Sequence, residues 1–319
     1  MLTMDPHSQH SKPLTLFLAT RPTFLIAGAA PILVGTTLAC ATTYSFHPLL
    51  FTLALIAIIT IHAGANMTND YFDHASKNDW LNKNPTPFSG GRRYIQQGVL
   101  SPKATLISAV SLLTAGSAFG LLIVLLTRSI FILTLGLLGL LGGFFYTAPP
   151  IRLGYRSTGE PVIALLFGLL PVYGSYYLQT QTIDCLPLLP ACIVGILIFL
   201  VILVNEFPDA AADAAVGKKT LVVRFGIAAS VWIYRIALFA SYIIAAAAIL
   251  TDRTFLLAGS FYLLTLPLTV VAARLVNKED LAKPGQYRAN QITILLHTLG
   301  TLALTAGFIV SALIARGKI

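Results

Sequence analysis

The sequence predicts an all-α protein that crosses a membrane several times, and two observations support this prediction. Of its 319 residues, 56% are hydrophobic and only 10% are charged, whereas soluble domains carry about 25% charged residues. The hydrophobic residues form long continuous runs, without the alternation of polar and apolar residues that is typical of a membrane β-barrel. Nucleic-acid binding and a disulfide scaffold are therefore poor interpretations, and the three cysteines are predicted to be packing residues.

Nine of these runs are long enough to span the bilayer core, which is about 30 Å thick and needs roughly 20 helical residues. They cover residues 14–38, 48–68, 104–126, 130–147, 161–179, 186–204, 230–250, 254–273 and 292–314. The first run is too long for a signal peptide and has Arg21-Pro22 near its start, so we expect it to be a transmembrane helix. Residues 1–319 are predicted to form one transmembrane domain, with residues 1–13 as an N-terminal tail.

The positively charged residues lie mainly on one side of these predicted helices. The N-terminus, the loops after the second, fourth, sixth and eighth runs, and the adjoining helix ends contain 17 of the 21 Lys and Arg residues. By the positive-inside rule this side is cytoplasmic. We therefore expect a multi-pass protein of the cell (inner) membrane with a cytoplasmic N-terminus, and nine spans place the C-terminus on the opposite side.

Two clusters of acidic residues occur on the predicted cytoplasmic side, after the second and the sixth run. They contain half of the 12 acidic residues of the chain, namely Asp70, Asp73, Asp79, Glu206, Asp209 and Asp213. At about 100° per residue, Asn66, Asp70 and Asp73 share one face of a helix. Asn205, Asp209 and Asp213 share one face of another helix in the same way. Stacked carboxylates repel each other, so each face is predicted to bind a cation.

Mg²⁺ suits such faces because it prefers hard oxygen ligands, binds one or two carboxylates and completes its shell with water and phosphate oxygens. Two metal-binding faces can clamp one diphosphate between them, with basic residues neutralising the remaining charge. Two alternatives remain open at this point. Acidic clusters at helix ends are often caps or solvated loops, and carboxylates in membrane proteins also form ion or proton pathways.

The two acidic clusters resemble the aspartate-rich signatures of the UbiA superfamily of intramembrane aromatic prenyltransferases. Residues 21–25 leading to 31–35 resemble the first helix of that family, and residues 217–226 resemble the segment that follows its second signature. The resemblance implies a UbiA-like fold, with nine transmembrane helices around a central cavity. The distribution of Lys and Arg places the loops of the expected active site on the cytoplasmic side.

Within the superfamily, the sequence is most similar to the 1,4-dihydroxy-2-naphthoate polyprenyltransferases of menaquinone biosynthesis. Asp79 follows Asp70 by nine residues, as in that branch, and Lys77 stands where the 4-hydroxybenzoate branch typically has an Asp. Residues 90–93, 97–102, 146–160 and 174–179 also resemble the naphthoate branch. The sequence departs from the branch at Glu206 and Pro208, which stand where the branch usually has Asn and Arg.

The resemblance implies Mg²⁺-dependent transfer of a polyprenyl group from polyprenyl diphosphate to an aromatic acceptor in the lipid bilayer, here 1,4-dihydroxy-2-naphthoate, to give demethylmenaquinone. It assigns catalysis to the metal ligands: Asp70 and Asp73 for one Mg²⁺ ion and Asp209 and Asp213 for a second. Asp79 is a further expected ligand. Substrate-binding residues, some supporting the metals, are expected to be Asn66, Asn69, Asn205, Lys219, Arg224, Arg92, Arg93, Arg152, Tyr146, Tyr155 and Arg21.

Other interpretations remain open. The acceptor can instead be 4-hydroxybenzoate, homogentisate, a chlorophyllide or a glycerol phosphate, and a cation-coupled transporter is the alternative from another functional class. The sequence does not predict the prenyl chain length, a general base or the oligomeric state. His62 is expected to be a hydrogen-bonded packing residue, and the glycines at 136, 139, 142 and 143 are expected to permit close packing of helices.

Overall fold

The computed structural model describes residues 11–281, 285 and 287–317, and within them the chain is helical, without a strand. The α-helices are α1 (Lys12–Ala19), α2 (Ile26–Thr43), α3 (Pro48–Ala75), α4 (Asn78–Leu81), α5 (Pro102–Thr127), α6 (Ile130–Phe144), α7 (Gly159–Ala164), α8 (Leu170–Thr180), α9 (Leu188–Ala215), α10 (Leu221–Thr251), α11 (Leu256–Leu263), α12 (Leu266–Leu275), α13 (Lys278–Leu281) and α14 (Arg288–Ala315). A π-helical turn, Leu165–Leu169, joins α7 and α8 into one span. The predicted class, an all-α polytopic membrane protein, is confirmed.

The predicted number of nine spans is too high. In the described residues, seven helical spans are long and apolar enough to cross a membrane, and α11 with α12, bent by 50°, makes an eighth. The run 130–147 forms only α6, whose 15 residues reach about 22 Å, less than the bilayer core. The helix ends early because the chain turns after Phe144, where Gly154 donates a backbone hydrogen bond of 2.7 Å to Tyr146.

Three predicted helix boundaries also differ from the structure. The first run is divided at Arg21, whose φ of 56° is left-handed, so it forms α1 and α2. The runs 48–68 and 186–204 continue as α3 and α9 to Ala75 and Ala215. The acidic residues of both clusters, apart from Asp79 on α4, therefore lie on the last turns of long helices. Of the predicted N-terminal tail, residues 1–10 lie outside the described residues, as do Lys283 and Lys318, and Lys12 already belongs to α1.

Helix α9 lies at the centre of the bundle and packs against α2, α10 and α14. Its residues Leu197, Leu200 and Leu203 are fully buried. Glycines allow the closest helix contacts: a Cβ atom at Gly168 would lie 2.3 Å from the Cα atom of Gly195 in α9. This contact brings the π-helical turn directly against α9. It thereby fixes the rotation of α9 about its own axis and so determines which face of α9 points to the other helices.

The two ends of the bundle differ in chemistry. The C-terminal ends of α3 and α9 and the segment before α2 meet at one end, where Arg21 pairs with Asp70. At the other end, Arg316 after α14 donates a hydrogen bond to the backbone carbonyl of Tyr44 after α2. The acidic clusters are therefore collected at one end of the molecule, and the end of α14 lies at the opposite one.

Candidate active site

A polar cavity of about 190 Å³ lies between the ends of α3 and α9. Its polar lining comes from the two acidic clusters, the segment around α4 and three neighbouring loops. These residues are Arg21, His62, Asn66, Asn69, Asp73, Asn78, Asp79, Asn82, Ser89, Tyr146, Thr147, Asn205, Glu206, Asp209, Asp213 and Lys218. Nine of the residues predicted as site residues are among them, so residues more than 100 positions apart in the chain share one cavity.

Helix α4 connects the two acidic clusters directly. Asn78 donates a hydrogen bond of 2.8 Å from Nδ2 to Oδ1 of Asp213. One turn later, Asn82 donates a hydrogen bond of 2.7 Å to Oδ1 of Asp209. Because Asn78 and Asn82 are four residues apart, they lie on the same side of this segment and hold the end of α9 beside the end of α3.

In the first cluster, Arg21 neutralises the carboxylate of Asp70 through an ion pair. Arg21 also donates a hydrogen bond of 3.1 Å to Asn69, and Asn69 donates one of 3.0 Å to Asp73. Asp70 is therefore turned towards Arg21 and is not part of the cavity lining. Asp73 and Asp79 are the carboxylates of this cluster that face the cavity.

In the second cluster, Asp213 is fully buried and forms an ion pair of 3.2 Å with Lys218. Burial alone would lower the pKa of Lys218. The neighbouring carboxylates of Asp213 and Asp73 outweigh this effect and hold that pKa well above its ordinary value. Lys218 therefore carries a positive charge in the cavity at neutral pH. The predicted cation Lys219 is exposed and lies outside the lining.

A glycine-containing loop covers the cavity from the side of the first cluster. Gly90 donates a backbone hydrogen bond of 3.2 Å to Oδ2 of Asp209. Gly91 has a φ of 70°, and a Cβ atom there would lie 3.0 Å from Oδ2 of Asp79 and 3.1 Å from Oδ1 of Asp70. Only glycine allows the backbone to approach these carboxylates so closely.

The donor set of the cavity fits a hard divalent cation. Burial, followed by repulsion from Asp73 and Asp70, raises the pKa of Asp79 to about 8, so a cation at this position would relieve a real electrostatic cost. Oδ2 of Asp213 and Oδ1 of Asn78 are buried oxygens without a hydrogen-bond partner. Within the described part of the chain, no three His, Cys, Asp or Glu side chains form a group that could hold a metal ion by themselves. Mg²⁺ in proteins typically binds one or two carboxylates and completes its shell with water and substrate oxygens.

The remaining predicted site residues lie outside the lining. Tyr155 donates hydrogen bonds of 2.8 Å to Ser76 and 3.5 Å to Asp73, so it contacts the first cluster without lining the cavity. Arg152 stacks on the ring of Tyr155, with 5.2 Å from Cζ to the ring centroid. Arg93 donates a hydrogen bond of 3.2 Å to the backbone of Asn82. The other two, Arg92 and Arg224, are also absent from the lining.

Several cavity residues were missed by sequence reasoning. Lys218 was missed because two adjacent lysines give no indication of which one faces inward. Asn78 and Asn82 carried a usable signal, since their spacing places both amides on one side of a short helix. Glu206 was noted only as a departure from the naphthoate branch, and His62 only as a packing residue. Each has a buried atom without a hydrogen-bond partner, which is Oε2 in Glu206 and Nδ1 in His62.

An apolar cavity of about 370 Å³ adjoins the polar one, and His62, Ala65, Gly143, Leu166 and Phe167 line both. The expectation that the glycines of α6 permit close packing is wrong for Gly136 and Gly139. A Cβ atom at either position would have no neighbour within 4 Å, and both glycines line the apolar cavity. Their missing side chains therefore leave open space beside α6.

Comparison with known proteins gives consistent matches. A family model described as the UbiA prenyltransferase family matches residues 28–299. The 1,4-dihydroxy-2-naphthoate octaprenyltransferase of Escherichia coli (strain K12) is 32% identical over 265 residues, 81% of this chain and 83% of that protein. The 2-carboxy-1,4-naphthoquinone phytyltransferase of Synechocystis sp. is 27% identical over 315 residues, 97% of this chain and 98% of that protein.

Solved structures share the fold. A UbiA homolog from Archaeoglobus fulgidus bound to GPP and Mg²⁺ superposes with a TM-score of 0.70 and 15% sequence identity, covering 93% of this chain and 99% of that chain. At this level of identity the likeness shows a common arrangement of helices.

Proposed function

This chain belongs to the UbiA prenyltransferase family and is a multi-pass membrane prenyltransferase. On that premise we propose that it transfers a polyprenyl group from polyprenyl diphosphate to 1,4-dihydroxy-2-naphthoate, with Mg²⁺. The products are CO₂, diphosphate and demethylmenaquinol, the reduced form of demethylmenaquinone. The observation that carries the proposal is the convergence of both acidic clusters on one polar cavity that continues into an apolar one. The similarity to 1,4-dihydroxy-2-naphthoate octaprenyltransferases over most of the chain supports this choice of acceptor.

The carboxylates of the two clusters are the proposed metal ligands. Asp73 and Asp79, which face the cavity, are assigned to one ion, and Asp209 and Asp213 to another. Asp70, which the sequence placed beside Asp73 as a ligand, is instead paired with Arg21, and we assign it the role of holding Arg21 at the site. Mg²⁺ bound there would stabilise the negative charge that develops on the diphosphate leaving group. The amides of Asn66, Asn69 and Asn205, which line the same cavity, are proposed to support the metal or the phosphate oxygens.

The cations of the cavity stabilise the leaving group from the protein side. In the proposed reaction the allylic C–O bond breaks, and its electron pair goes to the diphosphate. Lys218 and Arg21 line the cavity, so their positive charges are already in place when this charge develops. We assign the phosphate contacts to this pair in preference to Lys219 and Arg224, which lie outside the lining.

The apolar cavity serves the other half of the reaction. It is proposed to hold the prenyl chain and to exclude water, which would otherwise capture the allylic cation as an alcohol. The ring carbon of the acceptor that carries the carboxylate attacks the allylic cation. The carboxylate then leaves as CO₂, and the electron pair of the broken C–C bond restores the aromatic ring.

The proposed orientation places the site at the cytoplasmic face of the cell (inner) membrane, following the distribution of Lys and Arg. Arg316 is hydrogen-bonded to Tyr44 at the end of the bundle away from the site. The short helix α6 ends beside the site, where Phe144 contacts Phe72, so it returns the chain to the site end although it is shorter than a full span. Both observations support a C-terminus on the opposite side from the site. Reporters fused at the two termini test this: we expect a cytoplasmic signal from the N-terminus only. Cytoplasmic signals from both would contradict the orientation.

The enzymatic proposal is tested with the purified protein in lipid vesicles, supplied with polyprenyl diphosphate and 1,4-dihydroxy-2-naphthoate. We expect Asp73→Asn and Asp209→Asn to reduce both diphosphate release and prenyl transfer by about 100-fold or more, and chelation of divalent cations to do the same. Glu279→Gln, an exposed carboxyl group on α13, is the control and should remain fully active. Full activity in either aspartate variant contradicts the metal assignment.

Acceptor identity is tested separately by offering 4-hydroxybenzoate and homogentisate in the same vesicles. Preferred use of either would contradict the naphthoate assignment while leaving the prenyltransferase intact. In the part of the chain that the structure describes, the acidic residues of the site gather at one end of the helices, which is not the arrangement expected of a transporter.

A further inference from the structure

We propose that Asn290 of α14 holds the side-chain amide of Asn205 with its NH₂ group towards the polar cavity. Asn205 then donates a hydrogen bond to the diphosphate of the prenyl donor and does not bind a metal ion. Asn290 is a positioning residue, since it acts through Asn205 and is not part of the cavity lining. The inference rests on the proposed function, which leaves open whether Asn205 supports the metal or the phosphate oxygens.

A proline in α9 gives Asn290 a fixed partner. In an α-helix, each backbone carbonyl accepts a hydrogen bond from the N–H group four residues later. The carbonyl of Val204 cannot receive this bond, because residue 208 is a proline and has no N–H group. Asn290, which is 1% exposed, supplies the missing hydrogen bond from Nδ2, at 3.1 Å. A backbone carbonyl only accepts hydrogen bonds, so the amide of Asn290 must point its nitrogen at Val204.

The same nitrogen of Asn290 fixes the direction of the neighbouring amide. Nδ2 of Asn290 also donates a hydrogen bond of 2.8 Å to Oδ1 of Asn205. The oxygen of Asn205 is thus turned towards α14, and its Nδ2 atom is the other end of the amide. Among the described residues this Nδ2 atom has no hydrogen-bond partner, and it is not sealed off from the cavity that Asn205 lines. Asn205 therefore offers N–H groups to a ligand in the cavity.

Asn66 has the opposite orientation in the first acidic cluster. Each of the two asparagines lies four residues before the first aspartate of its cluster, and both line the polar cavity. Nδ2 of Asn66, however, donates a hydrogen bond of 2.9 Å to the backbone carbonyl of Thr20, which leaves Oδ1 for the cavity. Because Mg²⁺ binds oxygen atoms, Asn66 can support a metal, whereas the N–H groups of Asn205 match the oxygens of a phosphate.

The position of Asn205 along α9 indicates which phosphate it meets. On one side of Asn205, the next residues of α9 that line the cavity are apolar, including Ile202 and Ile198. On the other side are the two aspartates proposed as metal ligands. A donor with its diphosphate at the aspartates and its chain towards the isoleucines places the phosphate that carries the chain beside Asn205. That phosphate receives the electron pair of the broken C–O bond, so a fixed N–H donor there stabilises the developing charge.

The first test measures metal binding by itself, with purified protein in detergent and no substrate. Leucine has nearly the shape of asparagine without its polar atoms, so Asn66→Leu and Asn205→Leu each remove one amide. Mn²⁺ replaces Mg²⁺ because its binding can be followed by electron paramagnetic resonance. Asn66→Leu should weaken Mn²⁺ binding about tenfold, and Asn205→Leu should leave it unchanged. Weaker Mn²⁺ binding in Asn205→Leu would assign Asn205 to the metal and overturn the proposal.

The second test measures the binding of inorganic diphosphate at saturating Mn²⁺. Asn205→Leu should raise the dissociation constant of diphosphate about tenfold, because a hydrogen bond to a charged group is lost. Asn205→Asp should raise it further, since a carboxylate at this position repels phosphate. A carboxylate facing the metal would instead be a good ligand, so diphosphate binding in Asn205→Asp that equals or exceeds that of the wild type would overturn the proposal.

The role of Asn290 is tested through its dependence on Asn205. Asn290→Leu should weaken diphosphate binding by about fivefold and leave Mn²⁺ binding unchanged. In the double variant with Asn205→Leu, the substitution of Asn290 should add no further loss, because it acts only through Asn205. Thr301→Val, at another fully buried position on α14, is the control and should bind diphosphate like the wild type. Additive losses, or an equal loss in Thr301→Val, would make Asn290 a packing residue and overturn its assignment.

Failure of the proposed function has a different signature. A wild type that binds Mn²⁺ and diphosphate but transfers no prenyl group to 1,4-dihydroxy-2-naphthoate would contradict the reaction, while the two binding tests still decide the orientation of Asn205. A wild type that binds neither would overturn both proposals. Normal prenyl transfer by the wild type, together with unchanged diphosphate binding in Asn205→Leu, overturns only the assignment of Asn205.

Discussion

Asn78 donates a hydrogen bond of 2.8 Å to Asp213, a residue that follows it by 135 positions in the chain. Both side chains are buried, and the bond joins the segment after α3 to the last turn of α9. Together with the bond from Asn82 to Asp209, it places the two acidic clusters around one cavity. Each cluster alone would be an unremarkable polar helix end, and their contact makes a site for a multiply charged ligand.

Asn78→Ala should therefore destabilise the protein. The substitution removes a partner of a fully buried carboxylate, which costs about 1–3 kcal/mol, so we expect a lower thermal unfolding temperature in detergent and reduced activity. Asn84→Ala, at an exposed position in the same segment, is the control. Equal unfolding temperatures for the two variants would show that the bond does not hold the clusters together.

The two adjacent lysines should differ sharply in function. Lys218→Met removes a half-buried cation that pairs with Asp213 and faces the proposed diphosphate site, so we expect kcat to fall by about 100-fold. Lys219→Met removes an exposed cation and should change kcat by less than about threefold. Steady-state kinetics with saturating donor measure both, and the reverse order of effects would assign the phosphate contact to Lys219.

Asp79 predicts a pH dependence of metal binding. Burial and the charges of Asp73 and Asp70 raise its pKa to about 8, so the folded protein holds this proton more tightly than the unfolded chain does. This group therefore stabilises the metal-free fold most at acidic pH, below its ordinary pKa, and that stabilisation is progressively lost as the pH rises towards 8.

Because Mg²⁺ competes with the proton on Asp79, stabilisation by the metal should increase as the pH rises through 8. Thermal unfolding in detergent with and without Mg²⁺, between about pH 6 and pH 9, measures this increase. In Asp79→Asn the metal response should become nearly independent of pH, while Glu279→Gln should behave as the wild type. A wild-type response that is flat over this range would contradict a role for Asp79 in metal binding.

The contact between Gly168 and Gly195 should be intolerant of larger side chains. An added methyl group at Gly168 would meet the backbone of α9 at 2.3 Å, and overpacking of this kind costs about 1–3 kcal/mol. We expect Gly168→Ala to lower the unfolding temperature clearly. Gly120→Ala, whose Cβ atom would have no neighbour within 4 Å, should be neutral or slightly stabilising, and similar losses in both variants would contradict the packing argument.

Much of the site could be predicted because its carboxylate side chains come from two local patterns. Asp73, Asp209 and Asp213 were predicted from helical spacing alone, and all three line the cavity. The number of spans was less predictable. Hydropathy detects the apolar run 130–147 but does not show that the chain leaves the helix after Phe144, because that turn is stabilised by backbone bonds to residues further along the chain.

The sequence by itself determined the membrane class, the apolar helices and the carboxylates that share a helix face, because hydropathy and helical periodicity act over neighbouring residues. Only the tertiary structure decided that Lys218 enters the cavity, that Arg21 neutralises Asp70 and that His62 lies where the two cavities meet. Those outcomes depend on how each helix is rotated about its axis. The rotation is set by contacts between distant segments, such as Gly168 with Gly195 and Asn78 with Asp213, which no local pattern encodes.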